Sequence, residues 1–202
     1  MTPPDTTRTP SVNYGRPARP PARRLTLIAL LWCFAVSSLP SQMRATEDDV
    51  KAAYLINFGK FVRYPADQPP GSFDICLLGH DPIAQALEAT ALNERMQDRP
   101  VRVRKLDKAA DARSCAIVFM GTSEAPRIDK DLEAVQGSSV LTVSDAPHFI
   151  ERGGIIQFLL QGNKVRFAIN LSSATRARVS LSSELLEVAV SVIPDPAQEA
   201  PR

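Results

Sequence analysis

The chain holds two histidines, His80 and His148, and three cysteines, Cys33, Cys76 and Cys115. Zinc sites gather several such ligands at short fixed spacings, and no such spacing occurs here. The patterns HExxH, GxSxG, GxxxxGK and GxGxxG are absent. Their absence removes the usual signatures of zinc hydrolysis, a serine nucleophile elbow, a phosphate cradle and a dinucleotide site. Ser123 and Ser144 have no neighbouring base in sequence. His148, beside Phe149, reads as packed or exposed rather than catalytic. No catalytic set, metal or cofactor is assigned, and the chain reads as a non-enzyme.

Six polar residues remain as a candidate ligand-binding set: Asn57, Arg63, His80, Asn170, Arg176 and Arg178. His80 follows an apolar run and falls at the exit of an expected parallel strand, where α/β sheets bind ligands. The plainer reading is an exposed loop histidine. Asn57 and Asn170 lie on structured elements and need hydrogen-bond partners if buried. Tying helix to sheet would satisfy them without any ligand. The three arginines lie near the ends of the same elements and could hold a carboxylate or phosphate through paired hydrogen bonds. Each taken alone reads as a solvated surface arginine.

The elements that would position these residues begin after a leader. Residues 1–24 are rich in Pro, Thr and Arg and end in Arg23-Arg24. An apolar run from Leu25 to Val36 follows, the length of a signal-peptide core. It is too short to cross a hydrocarbon layer of roughly 30 Å as a helix. Ser38, Ser41 and Ala45 are alternative cleavage points, and an uncut signal anchor is the competing reading. Leu-Leu-Trp ahead of Cys33 does not suit a lipoprotein, and Sec export is the simpler route. Residues 1–45 are therefore read as signal peptide and leader, 46–192 as a single domain, and 193–202 as a disordered tail. The expected location is periplasmic.

Losing the leader changes two counts. The chain of 202 residues has 24 Lys and Arg against 22 Asp and Glu. Six Arg and one Asp lie in residues 1–45, which leaves 18 basic and 21 acidic residues, a balance of −3. A slightly acidic domain argues against nucleic acid as partner. Cys33 also leaves, so Cys76 and Cys115 remain as an even pair. In an exported chain such a pair reads as a disulfide, with two buried free thiols as the alternative.

Helical periodicity starts at Thr46. Thr46-Glu-Asp-Asp49 matches a capping box, and Val50, Ala53, Tyr54, Asn57, Phe58, Phe61 and Val62 recur at helical spacing. Leu55 and Ile56 widen that surface, so the helix is expected to be covered on more than one side. Strands are expected at Phe73–Leu78, Val101–Leu106, Cys115–Met120 and Ser139–Val143. Helices from Pro82 to Ala91 and from Ser123 to Gln136 fall between them, with a short one around Lys108–Ala112. Ile155–Leu160 and Val165–Asn170 read as a hairpin about Gly162-Asn163. Helices at Ser172–Arg178 and Ser182–Val190 follow. The expected fold is α/β, a mainly parallel sheet flanked by helices on both faces, with an antiparallel C-terminal hairpin at its edge.

Several segments together resemble the YfiR-like family of exported proteins. They are Val50-Lys-Ala-Ala-Tyr-Leu-Ile-Asn-Phe-Gly-Lys-Phe-Val-Arg-Tyr-Pro65, Ile75-Cys-Leu-Leu-Gly-His-Asp-Pro82 and Val140-Leu-Thr-Val-Ser-Asp145. Gly153-Gly-Ile-Ile-Gln-Phe158 leading into Val165-Arg-Phe-Ala-Ile-Asn-Leu171, and Ser182-Ser-Glu-Leu-Leu-Glu-Val-Ala189, complete the set. The resemblance runs from about Glu47 to Val190. It implies a periplasmic, non-enzymatic α/β protein, often a homodimer. The implied role is to repress a YfiN-type diguanylate cyclase by binding its periplasmic sensor domain, which lowers cyclic-di-GMP and biofilm formation. Cys76 and Cys115 resemble a disulfide position of some members, whose second cysteine pair has no counterpart here. The alternative function is a periplasmic small-solute-binding protein that serves a different membrane receptor or sensor kinase.

Overall fold

In the computed structural model, residues 45–65 and 71–196 are described. The expected leader and residues 197–202 of the expected tail lie outside the described residues. The order is α1 (Glu47–Phe61), β1 (Val62–Arg63), β2 (Phe73–Leu78), α2 (Ile83–Ala91), β3 (Arg95–Met96), β4 (Arg99–Leu106) and β5 (Ile117–Met120). Then come α3 (Ile128–Val135), β6 (Leu141–Ser144), β7 (Ile156–Gln161), β8 (Lys164–Asn170), α4 (Leu171–Arg176), β9 (Ser180–Leu181), α5 (Ser183–Val188) and β10 (Ser191–Ile193). Two 3-10 turns, Ala109–Ser114 and Thr122–Arg127, precede β5 and α3.

Among the described residues, eight strands form one sheet in the order β10-β8-β7-β6-β5-β2-β4-β3. The block from β4 to β7 is parallel. The hairpin β7–β8 is antiparallel, in the register Ile156↔Ile169 to Gln161↔Lys164. Its turn needs positive φ at the first central residue, and Gly162 supplies 59°. The sheet is the mainly parallel α/β arrangement expected, with one correction at its border. The hairpin is not the edge, because β10 pairs with β8 in parallel outside it. Ile193, the first residue of the expected tail, belongs to that strand, and Asp195 beyond it is buried.

Parallel strands need both faces covered, and β5 and β6 are buried at every position. One face of the central strands (Ile75, Leu77, Ile117, Phe119, Leu141, Val143) packs with α1 and α2 through Ala52, Leu55, Phe58, Ile83 and Leu87. The opposite face (Cys76, Leu78, Val118, Met120) packs under Ala109, Ala112, Ile128, Val135 and Phe149. Tyr54 and Phe58 of α1 meet Phe158 and Phe167 of the hairpin, with ring centroids 5.2 Å apart for Phe58–Phe167. Edge-to-face contacts of this kind add roughly 0.5–1.5 kcal/mol beyond the area they bury.

The capping box of α1 is present, with Asp49 N donating to Thr46 Oγ1 and Thr46 N to Asp49 Oδ2. The stripe expected on α1 is displaced. Its buried residues are Lys51, Ala52, Leu55, Ile56, Phe58 and Gly59, while Asn57 and Phe61 are exposed. A helix covered on several sides gives no single apolar period to read. The single helix expected over Ser123–Gln136 is instead a 3-10 turn followed by α3. Pro126 inside that turn lacks the N–H that a continuous α-helix would use.

Cys76 in β2 and Cys115 ahead of β5 form a disulfide across a sequence separation of 39. Both are almost fully buried. Replacing both with Ala is expected to cost about 3–4 kcal/mol in the loop-entropy account, a drop in Tm of roughly 10 °C. Thermal melts of the two proteins check this. Coincident melts would show that the bridge does not restrain the unfolded chain.

Candidate functional site

The chain leaves β2 for β4 on one side and later returns past β2 to place β5 on the other. Open α/β sheets bind ligands at such a switch point, beyond the carboxyl ends of the strands. Here the chain packs tightly on the β5 side, while a pocket of about 440 Å³ lined by Gly79, His80, Asp81, Pro82 and Lys105 stays open on the β4 side. Gly79 follows β2 at φ 85°, and a Cβ there would lie 2.4 Å from Ser123 Oγ and 2.6 Å from Glu124 Oε1. A Cβ on Gly121, after β5, would lie 3.0 Å from Asp81 Oδ2. His80 N donates to Ser123 Oγ at 3.2 Å. The glycines are the sequence device that lets two strand exits and two carboxylates share this space.

The carboxylates are unusual for a protein interior. Glu124 and Asp131 are buried, and Arg127 bridges them, with Nε donating to Glu124 Oε2 and lying 3.6 Å from Asp131 Oδ2. Burial raises the pKa of Asp131, the charge of Glu124 raises it further, and Arg127 offsets part of the rise. Burial likewise raises Asp81, while its bond from Ile83 N at the start of α2 opposes the shift.

A second pair closes the same carboxyl edge. Lys51 Nζ donates to Asp145 Oδ2 at 2.7 Å and lies 2.8 Å from Glu47 one turn earlier. Burial alone would lower the lysine pKa, but its bonds to Asp145 and Glu47 leave it raised. Ser144 is fully buried, donating to Met120 O at 2.6 Å and accepting from Ala146 N at 3.0 Å. It has the bonding of a structural tie rather than of a nucleophile.

The candidate ligand set divides between the two ends of the sheet. His80 is an exposed loop residue at the carboxyl edge. Asn57 is exposed and accepts from Lys60 Nζ at 3.1 Å on its own helix, so it does not tie helix to sheet. Asn170 is buried and does tie, accepting from Ser173 N at 3.0 Å and donating to Ile150 O at 2.8 Å. Arg176 donates to Ser173 Oγ at 2.8 Å. Arg63 pairs with Ser180 in the short β1–β9 ladder, and Arg178 adopts φ 55° just before it. Because β8 runs antiparallel, α4 and these arginines emerge at the amino edge of the parallel strands. His80 and the arginines therefore do not form one site.

Arg176 lines a pocket of about 390 Å³ at that amino edge. Arg152, Asp129, Glu133, Ser173 and Ile155 share it. Arg152 Nε donates to Asp129 Oδ1 at 2.6 Å, which holds the Asp129 carboxyl below its usual range. Lys51, Glu124, Arg127, Asp131, Asp145 and Arg152 lie outside the candidate ligand set that the sequence offers. The i, i+3 and i, i+4 spacing from Glu124 to Arg127 to Asp131 was a readable signal for an ion-pair group.

A family model described as YfiR/HmsC-like matches residues 48–190. The chain belongs to the YfiR/HmsC-like family. That is a family of periplasmic regulatory proteins. No curated protein matches the chain. A solved conserved domain protein from Vibrio cholerae O1 biovar El Tor is similar at 14% identity and a TM-score of 0.48, over 73% of this chain. This chain spans 60% of the length of that one. Among the described residues, no helix is long and apolar enough to cross a membrane.

The buried Asp131 of this YfiR/HmsC-like chain makes stability depend on pH. The folded-state pKa of Asp131 lies above its unfolded value, so its ionisation destabilises the fold once pH rises through the folded value. Asp131→Asn removes that cost. It is expected to raise Tm at pH 7, with the gain vanishing as pH falls below the ordinary carboxylate range. Melts across pH check this. A variant less stable at pH 7 would show that the ion pair with Arg127 outweighs burial.

Proposed function

We propose that this protein is a periplasmic, non-enzymatic regulator acting on an inner-membrane signalling protein. It binds the sensor domain of a diguanylate cyclase of the YfiN type, as a homodimer, and represses it. Cyclic-di-GMP and biofilm formation fall as a result. The observation that carries this reading is membership of the YfiR/HmsC-like family across residues 48–190.

Deleting the gene in its host is expected to raise cyclic-di-GMP and surface attachment, and the wild-type chain is expected to restore both. Unchanged cyclic-di-GMP in the deletion strain would contradict repression of a cyclase.

A second reading is a solute-binding protein that serves a different membrane receptor or sensor kinase. The amino-edge pocket, which presents Arg176 and Arg152 beside apolar Ile155 and Val140, favours it. A ligand at about a hundred times its Kd stabilises a fold by about 2.7 kcal/mol. Small carboxylates or phosphates are then expected to raise Tm for the wild type and not for Arg176→Ala. A panel that shifts neither protein would remove this reading.

A further inference from the structure

The sheet is left unfinished at the border opposite β10. β3 has two residues and β4 has eight, so β3 reaches only Arg99 and Pro100. Just beyond, Val101 N donates to Glu94 O at 3.0 Å, so the backbone of Val101 faces outward, away from β2. Backbone direction alternates along a strand. The N–H and C=O groups of Val103 and Lys105 therefore face outward too, while those of Arg102 and Arg104 face β2. Among the described residues, the stretch from Arg102 to Leu106 has a strand neighbour only in β2. The outward groups of Val103 and Lys105 stand in a row with no strand beside them. An edge of this kind is a template for a further strand.

The side chains along this edge set what such a strand must carry. Val103 is in register with Ile75 and lies half-buried against the helix-covered core. An apolar side chain next to it would complete its cover. Lys105, on the same face, is already paired, 2.9 Å from Glu88 of α2. Arg102 and Arg104 share the other face, in register with Asp74 and Cys76. Their side chains are 69% and 40% exposed and divide one carboxylate, Asp74, at 3.8 and 3.2 Å. Arg102 otherwise donates through Nε to Ser72 Oγ, and Arg104 through Nη1 to Ser114 Oγ. A guanidinium has five N–H groups, so both keep donors for an incoming carboxylate. The segment that fits has acidic, apolar and acidic residues in succession. Its acids lie beside Arg102 and Arg104, and its apolar residue lies beside Val103. Such neighbours stabilise adjacent strands.

Occupants from this chain do not fit. A second copy that pairs β4 with β4 antiparallel about Val103 sets Arg102 against Arg104, and like charges directly opposite repel. The segments outside the described residues, 1–44, 66–70 and 197–202, hold one acid each, Asp5, Asp67 and Glu199. None offers acids on alternate residues. We propose that the outer edge of β4, from Arg102 to Lys105, takes up an extended acidic segment of a partner protein as a ninth strand of the sheet. Backbone hydrogen bonds to Val103 and Lys105 supply the affinity, and Arg102 and Arg104 select the sequence. This inference does not rest on the partner being a cyclase, and a failure of either leaves the other standing.

Amide hydrogen exchange of the purified protein, followed by NMR, tests the edge and its occupant together. In the free protein Val103 and Lys105 are expected to exchange fast, between slow Arg102 and Arg104. The probe is a short peptide of alternating Glu and Val, and the control is the same peptide with Lys in place of Glu. The acidic peptide is expected to bind and to slow the amides of Val103 and Lys105, and the basic one to leave them fast. Lys105→Pro removes an outward N–H at an edge position that tolerates proline. It is expected to weaken binding about tenfold at little-changed Tm. Arg102→Glu is expected to narrow the preference for the acidic peptide. Slow exchange of Val103 and Lys105 in the free protein, no binding of the acidic peptide, or equal binding of both peptides would each overturn the proposal. So would binding that leaves these amides unprotected, wild-type affinity in a folded Lys105→Pro, or an unchanged preference in a folded Arg102→Glu.

Discussion

The central parallel strands have no face left for water, and burying both sides of β2, β5 and β6 constrains the rest of the chain. A sheet of this kind is stable only between two covering layers. The layers differ. α1 and α2 form a continuous roof over the larger core and carry Tyr54 and Phe58 across to the hairpin. The other side is closed by short pieces, two 3-10 turns, α3 and the loop holding Phe149. The disulfide lies on this less regular side and ties β2 to the segment before β5. Largely apolar faces leave the ends and borders of the sheet as the main places for charged side chains.

Those ends are not equivalent. The carboxyl edge is crowded and acidic, with Asp81, Glu124 and Asp145 tied down by glycine contacts, Arg127 and Lys51. The amino edge is rich in arginine, because β8 reverses direction and delivers α4 there, and because β4 begins there. Each edge also carries a concave surface, a pocket of about 440 Å³ beside His80 and one of about 390 Å³ beside Arg176. The layout agrees with the regulatory character of the YfiR/HmsC-like family.

Much of the architecture was legible in the sequence. Phe73–Leu78 was read to the residue, and the hairpin followed from alternation around Gly162-Asn163. The capping box at Thr46 fixed where α1 starts. The short strands β1, β3, β9 and β10 were not legible, since two or three residues carry no period. The face of α1 was misread because apolar residues surround it, and periodicity needs a polar side for contrast. Of the candidate ligand residues, Asn170 makes the tie that was its plainer alternative, and Asn57 was misplaced with the stripe it belonged to. The separation of His80 from the arginines could not be read. It depends on the direction of β8 and on which strands neighbour it, and neither is a local property of sequence.

The central claim is that this domain works by binding a membrane signalling protein. Affinity capture from detergent-solubilised membranes of the host, with crosslinking and mass spectrometry of the bound material, addresses it most directly. The account predicts recovery of an inner-membrane protein with a periplasmic sensor domain, crosslinked through that domain. Repeated capture that enriches no membrane signalling protein over a mock control would contradict it.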